Sequence, residues 1–139
     1  MLDFLSLNLY SKREKWHKCQ KSLLKWAEQW KLNVIYNELR LRGFSVDVGV
    51  INTREEGVRK QLEVDFVCNL GSKRYYIQSA YSVPSEEKRN QEIRPFTKID
   101  DSFKKIVITG DMSPTYYNDD GVLFMNIFDF LLKPENLNI

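Results

Sequence analysis

Histidine, cysteine, proline and glycine are all scarce in this chain of 139 residues, which holds one His, two Cys, four Pro and six Gly. The single histidine, His17, has no Cys or His partner at ligand spacing, so we expect no zinc site. Cys19 lies in a helical pattern and Cys68 in a strand pattern. We expect both to be buried free thiols in a reducing compartment.

Long hydrophobic runs are also missing. The apolar stretch over residues 4–10 follows no basic segment and precedes no small-residue cleavage site, so we expect no signal peptide. Nothing approaches the roughly 20 apolar residues that a membrane span needs. The sequence therefore predicts a single cytoplasmic domain over residues 1–139, with no membrane partner.

Charge is nearly balanced, because the net charge is only +2. A value this small does not by itself indicate a nucleic-acid partner. The distribution is uneven, since residues 11–42 hold nine Lys or Arg and three Glu, a net of +6, and the remainder must then carry −4. The N-terminal third is therefore basic beside a mildly acidic remainder.

Five apolar residues are spaced three, four, three and four along the segment 11–31, which places them on one helix face. They are Trp16, Cys19, Leu23, Trp26 and Trp30. Two interpretations stay open. The stripe is either core or interface, which includes packing on a second copy of the chain, or a nucleic-acid platform on which bases stack while lysines contact phosphates.

A second apolar stripe, from Leu32 to Leu39, is out of phase with the first, so we expect a break near Lys31 and a helix end at Gly43. Periodicity then predicts strands over 44–51, 61–70, 73–81, 105–109 and 122–126, loops over 52–57 and 111–121, and helices over 85–98 and 127–132. The continuous apolar run at 105–109 is typical of a strand buried on both faces. We expect Ser85 to cap the helix that follows it, and Pro95 to kink or end the last turn of that helix. On the second strand, alternation puts Leu62, Val64, Phe66 and Cys68 on one face. Such an order predicts an α/β fold with a mixed central sheet and helices on both sides.

Two carboxylates, Glu63 and Asp65, recur at a strand's two-residue period and so point to one face. A tight turn at 71–72 can bring Gln78 near Asp65, and Glu38 can approach from the preceding helix. Converging oxygen ligands suit Mg²⁺, which can activate water against a phosphodiester. The alternatives are a solvent-facing pair of acids, a hydrogen-bonded core amide at Gln78 and a surface acid at Glu38.

Several phrases, spread over residues 32–132, resemble the C-terminal PD-(D/E)xK nuclease-like domain of a large family of prokaryotic P-loop ATPases of unknown function. They are Val34-Ile35-Tyr36-Asn37-Glu38-Leu39 with Arg42-Gly43-Phe44, Glu63-Val64-Asp65-Phe66-Val67, Tyr76-Ile77-Gln78-Ser79-Ala80-Tyr81, Glu92-Ile93-Arg94-Pro95-Phe96 and Lys105-Ile106-Val107-Ile108-Thr109. The resemblance implies a restriction-endonuclease-like core with a Glu38, Asp65, Gln78 site, which Mg²⁺ could occupy. It also implies a P-loop ATPase domain as partner.

This chain departs from the family pattern in two ways. Ala80 stands where the superfamily has its catalytic lysine, and a cation on the next helix, Lys88, Arg89 or Arg94, could replace it. Alternatively, Arg89 and Arg94 form a surface ion-pair network with Glu92. No G-x-x-x-x-G-K-[ST] segment occurs, so this chain lacks the ATPase motif.

The leading functional hypothesis is a catalytically degenerate nuclease-like module that acts in recognition or assembly. The first alternative is a Mg²⁺-dependent nuclease with a displaced cation, and the second is a structural or oligomerisation domain. The expected partners are nucleic acid, through the basic N-terminal helix, a P-loop ATPase domain, or a second copy of this chain.

Overall fold

A computed structural model of the chain describes residues 4–138, with side chains described for Lys18 and for residues 20–137. The elements are α1 (Phe4–Leu41), β1 (Ser45–Glu55), β2 (Val58–Leu70), β3 (Lys73–Ala80), α2 (Glu86–Ile93), a 3₁₀ turn (Phe96–Lys98), β4 (Lys104–Thr109), β5 (Tyr116–Tyr117), β6 (Leu123–Asn126), α3 (Ile127–Leu132) and a final 3₁₀ segment (Pro134–Asn138).

The six strands form one sheet in the order β1-β2-β3-β4-β6-β5. The first three strands are antiparallel neighbours, β4 lies parallel to both β3 and β6, and β5 runs antiparallel to β6. The predicted mixed sheet is therefore confirmed. A helical connection from β3 to β4 is what a parallel neighbour requires, because a tight turn cannot join parallel strands.

Each face of the sheet packs against its own helices, so the expectation of an α/β fold with helices on both sides is confirmed. The first core joins the sheet to α1 and α3 through Ile35, Leu39, Phe66, Cys68, Ile77, Ile106, Ile108, Ile127 and Phe130, among others. The second core joins it to α2 and the 3₁₀ turn through Val64, Tyr76, Ala80, Ile93, Phe96, Val107 and Phe124, among others.

Two sequence predictions about buried residues concern β4 and the cysteines. Ile106, Val107 and Ile108 are fully buried, as expected of a central strand covered on both faces. Cys68 is a buried free thiol, as predicted, and burial raises its pKa to about 12. The side chain of Cys19 lies outside the described residues.

The predicted break near Lys31 is wrong, because α1 is one continuous helix of 38 residues. Lys31, Ile35 and Leu39, spaced four apart, are the buried residues of its C-terminal part, whereas every described side chain from Lys18 to Trp30 is exposed. Among the described residues, only the second stripe packs on this domain, so the two stripes need not be in phase. Such stripes need no bend when they face different surroundings.

The C-terminus of α1 is capped at Gly43, as the sequence predicts. Gly43 has a φ of +90°, its N–H donates to the carbonyl of Arg40, and the N–H of Phe44 donates to the carbonyl of Leu39 at 3.1 Å. This pair of bonds is a Schellman motif, which satisfies the last helical carbonyls and brings Phe44 and Leu39 into the first core.

A bulge in β2 makes the single-face prediction for that strand wrong. Asp47 pairs with Val67 but Gly49 pairs with Val64, so three steps on β2 match two on β1. Val64 therefore lies in the second core, whereas Phe66 lies in the first. A prediction from strict alternation misses this change, because one inserted residue reverses which face of the sheet the following side chains point to.

The polar loop predicted over 52–57 is also wrong, because β1 and β2 continue to Glu55 and Val58. Only Glu56 and Gly57 form the turn, with φ of 50° and 80°. Two consecutive positive φ angles are typical of the type I′ turn that closes two-residue hairpins. Polar side chains do not prevent pairing here, because the ladder is made by backbone groups.

The helix predicted over 85–98 is shorter in the structure. Ser85 caps α2 as expected, since its hydroxyl accepts from the N–H of Lys88 at 3.2 Å, but α2 ends at Ile93. Pro95 then begins the 3₁₀ turn, because proline cannot donate the next helical hydrogen bond. The loop predicted over 111–121 contains the short strand β5.

Candidate functional site

The site of interest lies where β2 and β3 separate. Their ladder runs from the Leu70–Lys73 pair to the Phe66–Ile77 pair, and the bulge of β2 follows directly. Beyond that point, hydrogen bonds that involve side chains connect the two strands. The N–H of Asp65 donates to Oε1 of Gln78 at 3.1 Å, and Oδ2 of Asp65 accepts from the N–H of Ser79 at 2.7 Å.

An open cleft of about 440 Å³ lies at this point, between α1 and α2. We refer to it as the Asp65 cleft. It is lined by Leu24, Glu28, Lys31, Leu32, Asp65, Ser79, Ala80, Tyr81, Ser82, Lys88 and Glu92. Three acids and two lysines therefore meet around one space, contributed by α1, the β2–β3 pair and α2.

Asp65 is the acid held at the sheet itself. Burial raises the pKa of its carboxyl above the usual range, the hydrogen bond from the Ser79 N–H opposes this, and the charge of Glu92 adds to the rise. The positive charge of Lys31 lowers the same pKa. Asp65 thus sits where a negative charge is poorly solvated and depends on donors and a cation beside it.

Lys31 is the cation beside it, and the sequence did not indicate this role. The side chain is only 6% exposed, and Nζ donates to the carbonyl oxygen of Ala80. Burial lowers the pKa of Lys31 to about 8, against the opposing charges of Glu28, Asp65 and two other acids. Its ammonium therefore lies against the backbone of Ala80 at the C-terminal end of β3.

One signal in the sequence could have identified Lys31. Lys31, Ile35 and Leu39 are spaced four residues apart, so Lys31 shares the helix face that packs on the sheet. A lysine on the apolar face of a helix must either reach water or find an acceptor. Because the sequence also suggested a helix break at this residue, Lys31 was not assigned to that face.

The cations proposed earlier as substitutes have other contacts. Lys88 lines the Asp65 cleft and forms an ion pair of 2.9 Å with Glu92. Arg94 pairs with Glu55, and Arg89 lines a different pocket, beside Tyr116. Instead of the expected network among Arg89, Glu92 and Arg94, two separate ion pairs form. Glu92 pairs with Lys88, and Arg94 pairs with Glu55.

Glu38 and Glu63 lie outside the cleft lining. Oε1 of Glu38 accepts from Nε of Arg42 at 2.7 Å, and the Arg42 guanidinium stacks 4.6 Å from the Phe130 ring centre. Glu38 follows Lys31 by seven residues, which is about 10 Å along the helix axis. Glu63 is exposed opposite Val50, and its charge raises the pKa of Asp65.

The structure therefore brings together Asp65 and Gln78 from the predicted set, whereas neither Glu38 nor Glu63 lines the Asp65 cleft. Over the described side chains, no group of three or more His, Cys, Asp and Glu residues is placed to hold a metal ion. Oε1 of Gln78 already accepts from the Asp65 N–H. This arrangement does not fit the oxygen-rich cage that Mg²⁺ prefers.

A second surface is the exposed part of α1. Leu23, Trp26 and Trp30 are 62%, 74% and 58% exposed. They are not part of the core of this chain, which leaves the interface and nucleic-acid interpretations. The side chains of Trp16 and His17 lie outside the described residues.

Across the described residues, no helix combines the length and apolar character needed to cross a membrane. No protein-family model matches the chain. No solved structure matches it either.

The chain is similar to an uncharacterised protein of Haemophilus influenzae, with 32% identity over 104 residues. That match covers 73% of this chain but only 22% of the relative. The chain thus spans about a fifth of the length of the curated protein that it matches.

Proposed function

We propose that this chain is a nuclease-like module of the PD-(D/E)xK type whose catalytic site is degenerate and which acts in recognition or assembly. The order of elements supports this core: a helix, a three-stranded meander, a second helix and a parallel strand follow one another. A P-loop ATPase domain is the partner that the resemblance suggests. The far greater length of the Haemophilus influenzae relative is compatible with further domains.

The surroundings of Asp65 carry this proposal. One carboxylate oxygen is bound by the Ser79 N–H, the ammonium of Lys31 is bound by Ala80, and Glu38 is bound to Arg42 elsewhere. Hydrolysis of a phosphodiester needs positive charge aimed at the reacting oxygens. The Asp65 carboxylate and the Lys31 ammonium instead hold α1, β2 and β3 together.

The exposed part of α1 supports a role in assembly. Tryptophans that are more than half exposed on a helix are typical of interface residues, because burying them against a partner removes a large apolar area from water. Lys21 and Lys25 are exposed on the same segment and keep it hydrated in the free chain.

A titration with Mg²⁺ or Mn²⁺, followed by amide NMR shifts, tests the degenerate site. We expect no saturable shift at Asp65, Gln78 or Ser79 at millimolar metal, and no cleavage of single- or double-stranded DNA or RNA. Asp65→Ala is the control, since non-specific binding would persist in it. Saturable shifts and metal-dependent cleavage that both disappear in Asp65→Ala would overturn the proposal.

A second candidate is a Mg²⁺-dependent nuclease with a displaced cation. The observation that favours it is the contact of Lys31 with Ala80, which supplies positive charge where the superfamily lysine is missing. In that case cleavage would be lost in Lys31→Met and kept in Lys88→Met, because Lys88 pairs with Glu92. The same cleavage assay distinguishes the two functions.

A further inference from the structure

The apolar stripe of α1 is the core of a longer heptad pattern. Assigning position a to Trp16 places apolar residues at every a and d position from 5 to 30 except one. These positions are Leu5, Leu9, Trp16, Cys19, Leu23, Trp26 and Trp30, and the exception is Lys12 at d. Alternating three- and four-residue spacing sustained over more than three heptads is typical of a coiled-coil seam.

The part of this seam whose side chains are described has no partner within the chain. Helix α1 runs through the whole pattern without interruption, and the described seam residues Leu23, Trp26 and Trp30 are all more than half exposed. The stripe that packs on the sheet begins with Lys31, one residue after Trp30 and so about 100° around the helix. A partner can therefore cover the seam without displacing α1 from its own domain.

The positions flanking the seam carry little charge. Positions e are Ser6, Arg13, Gln20 and Ala27, and positions g are Asn8, Lys15, Ser22 and Gln29. Charged residues at e and g normally select a partner of opposite charge. Here only Arg13 and Lys15 are charged among these eight residues, and the lysines at 18, 21 and 25 fall at c and f, away from the seam.

We propose that α1 forms a parallel two-stranded coiled coil with α1 of a second copy of this chain. The inference rests on the proposed function, because it names the partner through which the module assembles. In parallel pairing, Arg13 at e faces Asn8 at g of the other copy, and Lys15 at g faces Gln20 at e, so no like charges oppose each other across these positions.

Parallel, in-register pairing is favoured over the antiparallel form by Lys12. In a parallel pair, d positions meet d positions, so the two copies of Lys12 fall in one layer. An antiparallel pair would place each Lys12 against apolar a residues of the other helix. A single polar core position that matches only itself specifies register and orientation.

Light scattering of the full chain over a range of protein concentrations tests the assembly. We expect the mass of a dimer, and the mass of a monomer at the same concentrations for Leu23→Glu, which places a charge in the seam. Leu24→Glu is the matched control. Leu24 is also about half exposed but falls at position b, so this variant should remain a dimer.

A monomeric wild-type chain, a larger oligomer, or equal loss of assembly in both variants would overturn the inference. Each variant changes an exposed residue, so folding is checked by its circular dichroism. A monomer would leave the metal and cleavage tests of the proposed function untouched, and metal-dependent cleavage would leave the oligomeric state untouched. The two failures are thus distinguishable.

The orientation is tested by cross-linking at Cys19, which falls at d. Diamide accepts two electrons and two protons from a pair of adjacent thiols, so a disulfide forms and diamide is reduced to the hydrazine. Parallel pairing predicts a covalent dimer that is absent in Cys19→Ser, because Cys68 is buried in the domain. A dimer that gives no cross-link would overturn the parallel arrangement.

Discussion

The ammonium of Lys31 donates a hydrogen bond to the carbonyl oxygen of Ala80, although 49 residues separate the two. The same oxygen accepts from the N–H of Gly110 at 3.0 Å. One carbonyl thus ties α1 to the C-terminal ends of β3 and β4. Because Lys31 is buried beside Asp65, its contact shapes both the stability and the electrostatics of the Asp65 cleft.

The first prediction concerns the pH dependence of stability. The pKa of Lys31 falls from its usual 10.5 to about 8 in the folded chain. Between these values the unfolded chain holds more protons than the folded one, so this residue makes the free energy of unfolding rise with pH. The rise amounts to about 3 kcal/mol and should vanish in Lys31→Met.

Denaturant titrations at a series of pH values from neutral to above 10.5 measure this effect. The quantity to follow is the difference between wild type and Lys31→Met, because Cys68 acts in both chains and in the opposite direction. Its thiol has a pKa raised from 9.0 to about 12, so its contribution to stability falls as the pH increases above 9.0. A pH-independent difference would contradict the prediction.

The second prediction concerns the coupling between Asp65 and Lys31. The charge of Asp65 raises the pKa of Lys31, so Asp65→Asn should lower that pKa further, while the new amide oxygen can still accept from Ser79. The titration of Lys31 can be followed by the NMR shift of its Cε. Glu63→Gln is the control, because Glu63 affects Asp65 but is not among the charges that act on Lys31.

An unchanged pKa of Lys31 in Asp65→Asn would show that the two charges are screened from each other. An equal change in Glu63→Gln would show that the effect is a general one of net charge. Either result would remove the electrostatic basis for treating the cleft as a coupled site.

The third prediction concerns the bulge that positions Asp65. A Cβ added at Gly49 would lie 2.7 Å from Cγ2 of Val67 and 3.1 Å from Cβ of Val64. Gly49→Ala should therefore lower the free energy of unfolding by about 1–3 kcal/mol, as overpacking does. Because the bulge sets the position of Asp65, the Asp65–Ser79 bond should also weaken.

Urea unfolding measures the stability loss, and the amide shift of Ser79 reports the bond. Val48→Ala on the same strand is the control, since Val48 is 65% exposed and its truncation should change stability little. Equal stability of wild type and Gly49→Ala would mean that the bulge relaxes without strain.

Periodicity was sufficient for most of the secondary structure. The apolar run at 105–109 predicted the central strand β4, Gly71 and Ser72 predicted the β2–β3 turn, and Ser85 predicted the start of α2. The errors share one cause. The bulge in β2, the long hairpin of β1 and the unbroken α1 depend on what each segment packs against, which local pattern does not record.

The sequence by itself determined the α/β class, the mixed sheet and the proximity of Asp65 and Gln78, because spacing and turn residues act locally. Only the tertiary structure decided that Lys31 reaches Ala80 and that Glu38 binds Arg42 instead of approaching Asp65. Those contacts join residues from distant segments or depend on how α1 is rotated against the sheet. That rotation is set by the burial of Ile35 and Leu39. It depends on packing across the whole domain, which no short stretch of sequence records.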